Sequence, residues 1–143
     1  MNTYESEIKR IIRSQHELFH YLSDLRNMAV LNEHVFQEQA SNTEHDEDSF
    51  TFTHDSIGTV TLHVVEREPD KRIRFTAKIQ FVTLDMLIEL TAASDSETDM
   101  KMTLSFSGNI PHIFKMMIEG KLQNIVNQIA DTLAHSLNQK QRI

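Results

Sequence analysis

From about Glu38 to Phe106 apolar and polar residues alternate with a period of two, and this pattern constrains the fold of the 143-residue chain more than any motif in it. Successive side chains of a strand point to opposite faces, so alternation predicts strands with one apolar and one polar side. Phe50 and Phe52 share a side, as do Val60, Leu62 and Val64. Ile73, Phe75, Ala77, Ile79 and Phe81 do the same between Arg72, Arg74, Thr76, Lys78 and Gln80. Two further strands carry Met86, Ile88 and Leu90, then Met100, Met102, Leu104 and Phe106. Turn chemistry falls between them at Glu44 to Asp48, Asp55 to Gly58, Pro69 to Lys71 and Ser94 to Asp99. Consecutive hairpins at this spacing predict an antiparallel meander.

The flanks read differently. Tyr4, Ile8 and Ile12 oppose Glu5, Glu7 and Lys9, which predicts a first, half-buried strand. Ser14-Gln15-His16-Glu17 then has the capping-box pattern of a helix start, and Leu18, Phe19, Tyr21, Leu22 and Leu25 form one face of that helix. A second short helical piece is expected around Met28 to Leu31. The chain closes with a long helix, Asn109 as N-cap and Pro111 near its first position, running to about Asn138. Its apolar positions fall into two groups about 130° apart at 100° per residue. Ile110, Ile113, Phe114 and Met117 make the first; Ile118, Leu122, Ile125, Val126, Ile129, Leu133 and Leu137 make the second. Gly120 lies where the phase changes, so a kink or a wide apolar face is expected near Met116 to Gly120.

An apolar content of 39% over this length supports one core, hence a single domain over 1–143. The formal net charge of −7 disfavours nucleic acid and anionic lipid as partners. No apolar run approaches the roughly 20 residues that span a bilayer, and Met1 to Arg10 is polar, so a mature, cytoplasmic chain without stable membrane insertion is expected. Without cysteine there is no disulfide, thiol nucleophile or thiolate metal site, and three glycines leave no Gly-rich phosphate loop.

His16-Glu17-Leu18-Phe19-His20 matches H-E-x-x-H, the spacing by which zinc proteases place two imidazoles one turn apart. Both histidines point about 160° from the apolar face of their helix, and Glu17 is engaged in the capping box, so a solvated helix face is the expectation. Glu44-His45-Asp46-Glu47-Asp48 lacks the glycine and terminal glutamate of a calcium loop and reads as a hairpin turn. His45, His54 and His63 build no ligand set, and His63 falls on the polar side of its strand. No metal and no cofactor is expected.

The order strand, two short helices, six strands, long helix, together with Ser14 to Asp24, the hairpin run Gly58 to Ile73 and the closing helix, resembles the helix-grip fold of START-like (SRPBCC-type) proteins, which include polyketide cyclases and lipophilic-ligand carriers. The fold class is then α+β: a curved antiparallel sheet of about seven strands, two short helices after the first strand, and a long C-terminal helix. The resemblance implies a cavity between sheet and helix that binds a hydrophobic or amphipathic small molecule, lipid included. Its expected lining is Phe50, Phe52, Leu62, Val64, Phe75, Ala77 and Ile79 from the first half of the meander. Met86, Ile88, Met102, Leu104 and Phe106 follow from the second half, and Phe114 and Met117 from the helix. Methionine suits a pocket of variable shape and an ordinary core equally. No catalytic residue is assigned. A cyclase- or hydrolase-like enzyme would need a buried acid or base, for which Tyr4 and Tyr21 are the nearest inward-facing groups while Asp85 and Glu89 face out. A protein-interaction module with a filled interior would use the outer face bearing Arg72, Arg74 and Lys78. A homodimer is left open.

Overall fold

The computed structural model describes residues 3–28, 44–45, 48–54, 58–79, 82–107 and 111–139. In chain order the strands are β1 (Thr3–Glu5), β2 (Lys9–Ile11), β3 (Glu44–His45), β4 (Ser49–His54), β5 (Gly58–Glu68), β6 (Arg72–Ile79), β7 (Val82–Ala92) and β8 (Thr98–Ser107). Helix α1 (Gln15–Ser23) and a 3-10 turn (Leu25–Met28) separate β2 from β3, and helix α2 (His112–Gln139) ends the fold. All strands pair antiparallel in the order β1-β8-β7-β6-β5-β4-β3, with β2 also on β8. The meander is as the alternation predicts.

Two places break the alternation. Glu5 faces Thr103 and Lys9 faces Met100, so the three residues Ser6 to Ile8 oppose only Lys101 and Met102. This bulge divides the expected first strand into β1 and β2 and inverts the parity beyond it. Ile11 is therefore fully buried, whereas Ile8 and Ile12, expected inside with Tyr4, are 64% and 44% exposed. The second break is at Val65: Val64 faces Phe75 and Glu66 faces Arg74, leaving Val65 unpaired and exposed. Beyond it Arg67, not Glu66, stands opposite the buried Ile73.

Helix α1 begins as its sequence dictates. The Glu17 N–H donates to Ser14 Oγ at 3.1 Å, and the Ser14 hydroxyl in turn donates to the Glu17 carboxylate at 3.3 Å. Leu18, Phe19 and Leu22 bury one stripe of the helix, and each such side chain contributes roughly 1.5–3 kcal/mol. After α1 the Asp24 carboxylate accepts from the Arg26 N–H at 3.0 Å and from its guanidinium at 2.6 Å, which shapes the 3-10 turn. Of the second helical piece expected at Met28 to Leu31, positions 29–31 lie outside the described residues.

Helix α2 is unbroken from His112 to Gln139, its first turn closed by the Lys115 N–H on the Pro111 carbonyl at 3.0 Å. The expected N-cap Asn109 lies outside the described residues. Leu122, Val126, Ile129, Ala130, Leu133 and Leu137 form one buried stripe, as the second apolar group predicts. Of the first group, Ile113 and Met117 are not turned onto the sheet: they are 76% and 64% exposed, and neighbouring Met116 is 66% exposed. The phase difference is met by leaving these side chains outside the core. A Cβ at Gly120 would meet nothing within 4 Å, so no close packing requires the glycine.

Candidate functional site

Because the strands are in register, the inner face of the sheet is a set of cross-strand rows. One row is Phe50, Leu62, Ala77, Leu84 and Phe106; the next is Val64, Phe75, Met86, Leu104 and Tyr4. A third places Arg67, Ile73, Ile88 and Met102 side by side. Of the expected lining residues, Phe50, Leu62, Val64, Phe75, Ala77, Ile79, Met86, Ile88, Met102 and Leu104 are all buried in one cluster with α1 and the second half of α2. Phe50, Phe75, Ile88 and Met102 retain no accessible surface. Phe106 is half-buried at the edge of this cluster. Met117 stands apart from this cluster, exposed on α2. The side chains of Phe52 and Phe114 lie outside the described residues, as does Phe81.

The helix is fastened to the N-terminal strand step by step. Gln123 Nε2 donates to the Glu5 carbonyl at 2.9 Å, Lys9 pairs with Asp131, and Arg13 donates to the Leu137 carbonyl at 3.4 Å. At the far end Asn138 accepts from the Ile12 N–H at 2.8 Å and donates to the Arg10 carbonyl at 3.1 Å. Residues 112–118 extend past the first of these ties, toward the Phe106 end of the sheet.

Tyr4 marks the boundary between the two halves of α2. Its ring meets Phe106 edge-on, centroids 6.3 Å apart, and its phenol faces Glu119. Burial first, and then the Glu119 carboxylate, raise the phenol above its ordinary value, so it is a neutral hydrogen-bond donor near pH 7. Burial likewise raises Tyr21, against an opposing pull from Arg13. Neither tyrosine is poised as a base at neutral pH, and Asp85 and Glu89 occupy outward-facing positions of β7, as expected.

Sequence reading missed Arg67. The bulge at Val65 turns it inward, where its guanidinium donates to the Ser23 carbonyl at the end of α1 at 2.8 Å and to Asp48 at 2.7 Å. The available signal was Val64-Val65, two apolar residues in succession followed by a charge at the next inward position. Asp48 thereby closes the acidic stretch, whose Glu44 and His45 form β3 against Thr51 and Phe50. On the outer face Arg72 and Arg74 are paired with Glu68 and Glu66 at 2.9 and 3.2 Å, while Lys78 stands exposed beside His63 and two threonines around a depression of about 290 Å³. Among the described residues no helix is long and apolar enough to cross a membrane.

No family model matches the sequence, and no curated protein matches it. Solved structures do match. A START superfamily protein from Mycobacterium smegmatis superposes with a TM-score of 0.63 at 10% identity, over 97% of this chain and 99% of that one. The Aha1 dimer from Colwellia psychrerythraea gives 0.59 at 12% identity, over 96% and 97% of the two chains. An HSP90 activator from Plasmodium falciparum gives 0.58 at 16% identity, over 93% and 96%. Each likeness covers nearly the whole of both chains and is one of architecture: an antiparallel meander, a short helical region after the first strand, and a long closing helix. The chain has the helix-grip fold of START-like proteins.

Proposed function

We propose that this chain is a binding protein that holds one hydrophobic or amphipathic small molecule between the inner face of the sheet and α2. The observation that carries this reading is the contrast within α2: its second half is sealed into the core, while Ile113, Met116 and Met117 present large apolar surface on the first turns. On this reading the ligand sits at one end of the grip. Phe75, Ile88 and Met102 are the floor of a filled core, and Leu62, Ala77, Ile79 and Phe106, with Phe52, Phe114 and Met117, are the proposed ligand wall. Apolar burial at roughly 25 cal/mol per Å² would supply the affinity. Tyr4, a neutral phenol beside Phe106, would orient a polar group on an amphipathic ligand.

Mass spectrometry of organic extracts from the purified protein, followed by thermal shifts with a fatty-acid and polyketide panel, tests the reading. Phe106→Ala should reduce retention of the ligand. An empty preparation that no panel member stabilises would count against it.

A filled grip serving as a protein-interaction module is the second reading. It is favoured by the complete burial of Phe50, Phe75, Ile88 and Met102 and by the likeness to an HSP90 activator. Binding to a purified HSP90-class chaperone, with no small molecule retained, would select it.

A further inference from the structure

The H-E-x-x-H run supplies no residue to the proposed ligand wall, and its glutamate is turned toward Ser14 and Arg13. His16 and His20 lie one turn apart on the exposed side of α1, ring centroids 4.3 Å apart and planes at 76°. His20 also meets the edge of the buried Phe19 ring at 5.8 Å, which steadies it. Asp70, in the turn between β5 and β6, places Oδ1 3.1 Å from His16 Nδ1. It reaches that position from a backbone with φ of 65°, a conformation that aspartate tolerates better than most residues. An ionised carboxylate only accepts hydrogen bonds, so Nδ1 of the neutral ring carries the proton and Nε2 presents its lone pair to solvent. A carboxylate behind an imidazole in this way is the arrangement that fixes the tautomer and raises the basicity of metal-ligating histidines.

Glu17 is turned elsewhere, toward Ser14 at 3.3 Å and Arg13 at 3.9 Å, so it does not stand as a base beside the pair. Among the described residues no three His, Asp or Glu side chains gather around one point. The protein thus offers two nitrogens and leaves the remaining positions to water.

We propose that His16 and His20 form a surface chelate for a late first-row divalent ion, Zn²⁺, Ni²⁺ or Cu²⁺, with Asp70 as the positioning residue behind His16. Imidazole nitrogen suits these ions and does not suit Mg²⁺ or Ca²⁺. Both rings are exposed, so pointing both donors at one ion requires only that the His20 ring turn on its edge contacts with His16 and Phe19. The positive end of α1 opposes a cation there, and the Asp70 carboxylate offsets it. Loading the site would fix the start of α1, which covers the inner face, in the rotamers that hold it to the β5–β6 turn.

The test uses the full chain, stripped with EDTA and titrated with ZnCl₂ by calorimetry, while NMR follows the imidazole nitrogens. One zinc should bind with shifts confined to His16 and His20. His20→Ala and His16→Ala should abolish that event, Asp70→Asn should weaken it about tenfold, and Glu17→Gln should leave it unchanged. Circular dichroism establishes that each variant is folded. Undiminished zinc binding in folded His16→Ala and His20→Ala, or none in the wild type, overturns the site. Wild-type affinity in Asp70→Asn overturns the role of Asp70.

Discussion

The Met102 N–H donates to Ser6 Oγ at 3.0 Å, while the Ser6 N–H donates to the Met102 carbonyl at 2.8 Å. Bulging of the N-terminal strand deprives Met102 of an ordinary ladder partner, and the serine hydroxyl replaces it in a buried setting. Ser6→Ala should therefore cost about 1–3 kcal/mol, the penalty for a buried donor without an acceptor, far more than one exposed hydroxyl would. Urea denaturation measures it, and an unchanged midpoint would contradict the role.

Arg67 joins three segments distant in sequence: β5, the end of α1 through Ser23, and the Asp48 segment before β4. Arg67→Ala should destabilise by about 1.5–3 kcal/mol, since a charged donor is lost from a main-chain carbonyl. Asp48→Asn should cost under about 1 kcal/mol, because that pair is open to solvent. The ranking of the two denaturation midpoints is the check.

Phe75 is fully buried in the core, and Met117 is exposed on α2. Phe75→Ala leaves a cavity in a fully buried site and should cost about 3–5 kcal/mol. Met117→Ala, at an exposed position, should change stability by less than about 0.5 kcal/mol. If the ligand proposal holds, the second variant should nonetheless retain less bound molecule, read as the ratio of extracted ligand to protein.

Acid should weaken the α1 terminus in a definite window. The Arg26 hydrogen bond to Asp24 outweighs burial and holds this carboxyl below its ordinary value. A carboxyl depressed in the folded state stabilises above its unfolded value of about 3.9, and that contribution disappears as pH falls through the lower folded value. Between neutral pH and about pH 4, Asp24→Asn should be less stable than wild type by a constant amount. Below about pH 4 the gap should close, as urea midpoints across pH 2–7 would show.

Alternation was a sound guide to the meander because each strand has one face in the core, where a slip of one residue would bury the polar set. It misled at Ile8, Ile12 and Arg67 for one reason. A bulge is a mismatch between the lengths of two paired strands, and neither strand records it alone. Ile11-Ile12 and Val64-Val65 were ambiguous pairs in which either residue could face inward. The closing helix raised the opposite difficulty. Its two apolar groups were legible, whereas the exposure of Ile113, Met116 and Met117 was not, since a phase difference along a helix does not say which group meets the sheet. The buried apolar rows of the inner face were readable, whereas Asp70 behind His16 and Glu119 beside Tyr4 depend on contacts between distant segments.

Every described polar tie on the second half of α2 reaches back to residues 5–13, across sequence separations such as 118, 126 and 128. Neighbouring strands of the meander, by contrast, are joined by short connections and can zip as they are made. During synthesis the sheet is thus available before its fastener, and the part of its apolar face that α1 does not cover stays bare until α2 has emerged and met the first strand. Closing so long a loop is slow compared with forming a hairpin. The interval is one in which a small apolar guest or a chaperone could reach the inner face ahead of the helix.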